Sequence, residues 1–159
     1  MRITGGSEAR RILKAPKGLA VRPTPDLVKQ AVFNSLGPRV LDAYVLELFG
    51  GTGALSLESL SRGARHALCI EKSHRHAEVL RQNAIGAGFP AEKLQAITQD
   101  VFAALPAAAV AHAGRAGTLG ADVARAEQLT RVLRAQIHRS TRRVENGLAL
   151  LASIGATAI

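Results

Sequence analysis

The sequence predicts an α/β fold built on a parallel sheet. A short apolar run, residues 44–49, ends in the glycine turn Gly50-Gly51-Thr52-Gly53. Two more apolar runs, residues 66–71 and 94–98, follow at intervals filled by helical patterns. Strand, helix, strand, helix, strand is the signature of parallel strands joined by crossover helices.

Each element has a local reason. Residues 1–21 read as a basic hairpin: a short strand, a Gly5-Gly6 turn and a second strand around residues 10–13. Thr24 is placed to cap a helix whose first position is Pro25. That helix carries Val28, Ala31, Val32 and Leu36 and stops at Gly37-Pro38. Its apolar spacing of three and four predicts one buried face. The run at 44–49 is a buried parallel strand, and the glycines turn the chain into a helix over 54–61, closed near Gly63. Ser73 is placed to cap a long helix reaching about residue 87. The third strand is followed by Gln99-Asp100.

The pattern changes near residue 104. Residues 104–159 hold fifteen Ala and seven Arg but no Lys, Phe, Tyr or Trp. The expectation is a flexible segment over 106–121, then an amphipathic helix with Leu129, Leu133, Ile137, Val144, Leu148 and Leu151 on one face. Three regions result: a basic hairpin and helix at 1–39, a βαβαβ unit at 40–103, and an Ala/Arg-rich helical tail at 104–159.

Composition narrows the function classes. A chain of 159 residues fits one domain, and 47% hydrophobic residues supply a core. A single cysteine, Cys69, excludes a disulfide framework and a cysteine-built zinc site. No apolar run approaches the ~18 residues of a membrane span, and no signal-peptide core is present, so a cytoplasmic location is expected. The formal charge is +9 and unevenly spread. Residues 1–39 carry eight Lys/Arg and two Asp/Glu, residues 40–103 six and seven, and residues 104–159 seven and three. Basic ends around a neutral middle point to a polyanionic partner, usually nucleic acid.

The chemistry concentrates in Glu47-Leu48-Phe49-Gly50-Gly51-Thr52-Gly53. A dinucleotide fingerprint needs a third glycine, but Ala54, Leu55 and Ser56 follow Gly53. A P-loop needs a Gly-Lys-Ser/Thr run, and no Lys is near. S-adenosylmethionine sites place an acid in the strand shortly before the glycines, and Glu47 stands there, suited to the cofactor's ammonium group. Glu71, ending the second strand, is suited to accept two ribose hydroxyls, with Lys72 beside it. Asp100 follows the third strand and would reach an adenine amino group, with Val101 or Phe102 against the ring. All three acids fall at the carboxyl edge of the sheet, where open α/β sheets bind ligands. His74, His76 and Arg81 read as a solvated helix face, Asn83 as a residue near the cofactor mouth, and Cys69 as an inert core thiol.

Several segments together resemble a known family. These are Met1-Arg2-Ile3-x-Gly5-Gly6, Arg22-Pro23-Thr24, Ala31 through Leu36, Leu46 through Leu55, Glu58 through Ala64, and Glu71-Lys72. Over residues 1–103 the chain is similar to the RsmD-type methyltransferases. Those bacterial enzymes methylate the N2 amino group of a guanine in 16S ribosomal RNA. The resemblance implies a class I, Rossmann-like, S-adenosylmethionine-dependent methyltransferase fold, here incomplete and ending in the helical tail. It implies that Glu47, Phe49, Gly50, Gly51, Thr52, Gly53, Glu71, Lys72, Asp100 and Val101 bind S-adenosylmethionine. It also implies that the arm, with Arg10, Arg11, Lys14, Arg22 and Thr24, faces ribosomal RNA or the small ribosomal subunit. Glu47 and Gly50 stand where the family more often has Asp and Ala.

The catalytic motif of that family, Asp/Asn-Pro-Pro-Tyr/Phe, is absent: the six prolines include no adjacent pair. The leading expectation is a protein of the rRNA guanine-N2 methyltransferase type with identifiable cofactor residues and no identifiable catalytic ones. A non-catalytic RNA- or cofactor-binding module is the alternative, with a dinucleotide-dependent enzyme behind it. Three strands alone leave the first strand with an open edge, so a homo-oligomer through that edge is expected.

Overall fold

The structure, a computed structural model, describes residues 1–16, 24–104 and the backbone of 150–153. One four-stranded sheet runs in the order β3-β2-β1-β4. β1 (Tyr44–Leu48), β2 (His66–Glu71) and β3 (Leu94–Thr98) are parallel, with Glu47 opposite Cys69 and Cys69 opposite Ala96. α2 (Ala54–Ser61) joins β1 to β2, and α3 (His74–Gly86) joins β2 to β3. Ser73 caps α3: its hydroxyl accepts from the His76 N–H at 3.3 Å. β1 stops at Leu48 because Phe49 turns to a φ of 60°, outside the strand region.

The edge of β1 is not open. Leu150–Ser153 forms β4, antiparallel to β1, with Leu46 opposite Ala152 and Leu48 opposite Leu150. Leu151, expected on a helix, therefore lies in a strand. A helix could cover β1 but not complete its hydrogen-bond ladder. A strand supplies those partners, so the β1 ladder is paired within the chain. The flexible segment expected at 106–121 and the other positions of the expected tail helix lie outside the described residues.

The side chains of β1 alternate between two cores. Val45 packs with Ala67, Cys69, Leu57 and Leu80 on the α2–α3 side, and Leu46 and Leu48 with Leu68, Ile70, Val101 and Ala104 on the other. Ile3, Leu13, Phe33 and Val40 share the first core, so the amino-terminal arm packs into the βαβαβ unit rather than beside it. The expected hairpin is reduced to one bridge, Arg2 to Ile12, flanked by Ile3 N–H to Arg11 C=O and Arg10 N–H to Ile3 C=O, both 2.9 Å.

α1 (Asp26–Leu36) starts one residue later than expected. Pro25 is extended, with φ −57° and ψ 145°, and takes the cap position from Thr24. Its buried face is also different: Lys29 and Phe33 are buried, while Val28, Ala31 and Val32 are exposed. Electrostatics and aromatic packing override the apolar stripe. The Lys29 ammonium donates to the Arg2 carbonyl and lies 3.4 Å from Asp26 and 3.7 Å from Glu58. Phe33 lies under the Arg62 guanidinium, 5.0 Å from its ring centre.

α2 is buried along its whole length between sheet and arm, although half of it is polar. Every polar side chain on it has a partner, which is the condition for burying it. Glu58 accepts from the Thr4 N–H, the Thr4 hydroxyl and Arg62, at 2.7 to 2.8 Å. Ser61 donates to the Gly5 carbonyl at 2.6 Å and accepts from the Glu8 N–H at 2.9 Å. Ser59 donates to the Leu55 carbonyl, and Ser56 to Glu47.

Candidate cofactor site at the carboxyl edge

The loop after β1 holds three left-handed residues: Phe49 at φ 60°, Gly51 at 54° and Gly53 at 76°. Glycine adopts that region freely, whereas Phe49 holds it at a cost. The Gly50 N–H donates to the Ile70 carbonyl at 2.9 Å, and the Gly53 N–H to the Gly50 carbonyl at 2.7 Å. Added side-chain carbons would fare differently along the loop. At Gly53 one would press on Leu80 Cγ at 2.8 Å, while at Gly51 its nearest neighbour would be the Phe49 carbonyl oxygen at 4.0 Å. The loop is therefore packed at its back and open at Gly51.

Glu71 ties this loop to β2. One carboxylate oxygen accepts from the Gly51 N–H at 2.7 Å, the other from the Ser73 N–H at 2.8 Å. A carboxylate offers about four lone-pair positions, so two remain for a ligand's hydroxyls. His76 Nδ1 stands 3.7 Å from the same group. Lys72 and Asp100 bridge the ends of β2 and β3 at 3.4 Å. Asp100 also caps residues 101–104, accepting from the Phe102 N–H at 3.0 Å. Burial pushes its pKa up, but the Phe102 N–H, Lys72 and the Ala103 N–H outweigh that and hold it below the usual carboxylate range. Phe49 meets Phe102 edge-on, with ring centres 6.4 Å apart. Val101 lies buried beneath them in the second core.

Glu47 is placed behind the loop rather than at its mouth, with 1% of its surface exposed. Its carboxylate accepts from the Ser56 N–H at 2.9 Å, from the Ser56 hydroxyl, and from the Cys69 thiol at 3.6 Å. Burial raises its pKa from 4.5 to about 7, against the opposing pull of Ser56, Cys69 and the Leu55 N–H. The Cys69 thiol is pushed up by its own burial and by Glu47.

Two residues expected on a solvated face are structural instead. Arg81 donates to the Thr98 hydroxyl at 2.8 Å and to the Ala96 carbonyl, joining α3 to β3. His76 faces Glu71, while His74 is exposed as expected. In the arm, Arg10 and Lys14 are exposed, whereas Arg11 pairs with Glu8 and donates to the Gly86 carbonyl at 2.6 Å. Thr24 is half-buried, and Arg22 lies outside the described residues. Residue types alone do not single out Ser56 or the Lys29–Glu58 pair. The first has only its helix-start position as a signal, and the second joins positions that no local pattern relates.

Known proteins resemble this chain in sequence and fold. The family described as Conserved hypothetical protein 95 matches residues 1–114, extending past the expected limit at 103. The chain is 39% identical over 83 residues to the rRNA methyltransferase candidate YlbH of Bacillus subtilis (strain 168), covering 52% of this chain and 45% of that one. It is 42% identical over 83 residues to the ribosomal RNA small subunit methyltransferase D of Escherichia coli (strain K12), covering 52% and 42%. The chain thus spans less than half the length of these relatives. A solved Escherichia coli structure, the methyltransferase candidate yhhF, aligns with a TM-score of 0.57 and 33% identity, over 66% of this chain and 55% of that one. The parallel strands and their helices are an incomplete Rossmann-like methyltransferase fold.

Proposed function

The chain belongs to the family described as Conserved hypothetical protein 95, and we propose that residues 1–104 are the cofactor-binding and RNA-docking part of an S-adenosylmethionine-dependent rRNA guanine-N2 methyltransferase. The names of its relatives support an rRNA methyltransferase activity. The observation that carries the cofactor is Glu47 on the amino end of α2. A dinucleotide would set its pyrophosphate on that helix end. Here the buried Glu47 carboxyl already takes the Ser56 N–H, so the helix end has one donor fewer for a phosphate. The loop suits a ligand without phosphates, such as S-adenosylmethionine.

In this reading the open face at Gly51 admits the cofactor's amino-acid end, and Glu47 shapes the loop from behind. Glu71 accepts the ribose hydroxyls through its remaining lone pairs, Asp100 takes the adenine amino group, and Phe49 and Phe102 flank the ring. Bound there, the cofactor supplies a sulfonium methyl group. The chain's contribution is to fix that group at the sheet edge and keep water from it, which is mostly positioning. Arg10 and Lys14 hold RNA phosphates beside it. No residue that would orient the guanine amino group is identifiable, since no Asp/Asn-Pro-Pro-Tyr/Phe occurs.

Isothermal calorimetry with S-adenosylhomocysteine and with NAD tests the assignment. Binding of the first and not the second is expected. Tight NAD binding without S-adenosylhomocysteine binding overturns it.

A further inference from the structure

We propose that Asn83 couples the basic arm to the glycine loop, so that RNA on the arm and cofactor in the loop raise each other's affinity. This rests on the function proposed for loop and arm. Asn83 lies in α3 and is 4% exposed. Its side chain serves two other segments. Oδ1 accepts from the Lys14 N–H at 2.8 Å, and Nδ2 donates to the Lys14 carbonyl at 3.1 Å. The amide thus pairs with the arm's backbone as a neighbouring strand would. Nδ2 also donates to the Thr52 carbonyl at 3.0 Å.

Thr52 stands between the left-handed Gly51 and Gly53. It meets the arm a second time, since its hydroxyl donates to Met1 Sδ at 3.4 Å. The Met1 carbonyl in turn accepts the Leu13 N–H at 3.0 Å. Both limbs of the hairpin therefore converge on one residue of the loop.

The choice of contact matters. Asn83 reads the backbone of Lys14 and leaves the residue exposed, so the ammonium stays available to phosphate. Displacing the arm would break a pair of hydrogen bonds in a buried setting, where an unmade bond is costly. The arm position that suits RNA and the loop position that suits cofactor are then selected together. Coupling of this kind is reciprocal: whatever factor RNA applies to cofactor affinity, cofactor applies to RNA affinity. Asn83 is a positioning residue, acting through Thr52 and Lys14.

The test uses the 159-residue chain with two readouts. The first is the Kd of S-adenosylhomocysteine with and without a saturating small-subunit rRNA transcript. RNA should tighten it about fivefold or more in the parent chain, the lower range of coupled sites. Asn83→Ala should bring that ratio close to one. Lys14→Ala keeps the backbone pair and should keep the ratio, although more RNA is needed to saturate. The isosteric Thr52→Val cuts only the Met1 contact and should give an intermediate ratio; it also serves if Asn83→Ala does not fold.

The second readout is amide hydrogen exchange without any ligand. Asn83→Ala or Thr52→Val should speed exchange in residues 10–14 and in 51–53 together while leaving β2 protected. A parent ratio of one, a ratio unchanged in Asn83→Ala and Thr52→Val, or faster exchange confined to the arm overturns the coupling. If the parent chain binds no S-adenosylhomocysteine, the cofactor reading falls, and exchange alone decides whether arm and loop move together.

Discussion

Gly50 and Cys69 are fitted to each other: a side-chain carbon at residue 50 would overlap the sulfur of Cys69, the β2 residue opposite Glu47. The family resemblance makes Ala an ordinary residue at 50, so the pairing is a property of these two residues rather than of the loop. Gly50→Ala should cost about 1–3 kcal/mol through overpacking. Cys69→Ala removes the sulfur and should restore most of that stability in the double variant. Chemical denaturation of the four proteins measures the interaction, and additive effects would show that the sulfur is not the obstacle.

Gly51 and Gly53 should separate binding from folding. Both are left-handed, so Ala at either costs about 1–2 kcal/mol of backbone strain. At Gly51 the added methyl finds open space, and the chief effect should be weaker cofactor binding. At Gly53 it presses on Leu80, and both affinity and melting temperature should fall. Calorimetry with S-adenosylhomocysteine, paired with thermal melts, distinguishes the two. Parent-like affinity in Gly51→Ala would move the cofactor away from this face.

Stability should decline as pH rises from 4.5 to 7. In that window Glu47 is ionised in the unfolded chain but protonated in the fold, because burial raises its pKa to about 7. The fold then binds the extra proton, so raising the pH favours unfolding. The full effect is about 3 kcal/mol, complete above the folded-state pKa. Glu47→Gln should flatten the profile measured by urea denaturation between pH 4.5 and 8. An identical slope in the variant would mean that another group titrates.

RNA binding should depend on salt and on particular arm residues. A variant that makes one phosphate contact fewer should show a salt slope lower by about 0.7 to 0.9. Neutralising Arg10 and Lys14 should lower it more than neutralising Arg11, which already pairs with Glu8 and Gly86. Arg22 belongs in the same series. Filter binding at several salt concentrations measures this, and affinity unchanged by replacing all four overturns the arm's role.

The chain itself should not methylate guanine at a useful rate. The amino lone pair is delocalised into the base, so an acceptor beside a stacking aromatic must orient it. Residues 104–159 offer no Phe, Tyr or Trp, and no Pro-Pro pair occurs anywhere. Radiolabelled methyl incorporation into unmodified small-subunit rRNA is the measurement. Robust turnover would mean that another group performs this task.

Residue order alone was enough to specify the three parallel strands, the two crossover helices and the edge on which Gly51, Glu71 and Asp100 meet. Those features are local: apolar runs, glycine turns and a serine cap act within a few residues. Features that depend on distant partners were settled only when the chain folded. Folding turned α1 so that Lys29 and Phe33 face inward, because Glu58 on α2 and Arg62 at its end await them. It placed Glu47 behind the loop, since the Ser56 N–H at the start of α2 outcompetes solvent. It joined Lys14 to Thr52 through Asn83, across 69 and 31 residues of chain. It also paired β1 with Leu150–Ser153, a partner no nearby pattern announces, because an unpaired ladder takes whatever strand the fold brings alongside.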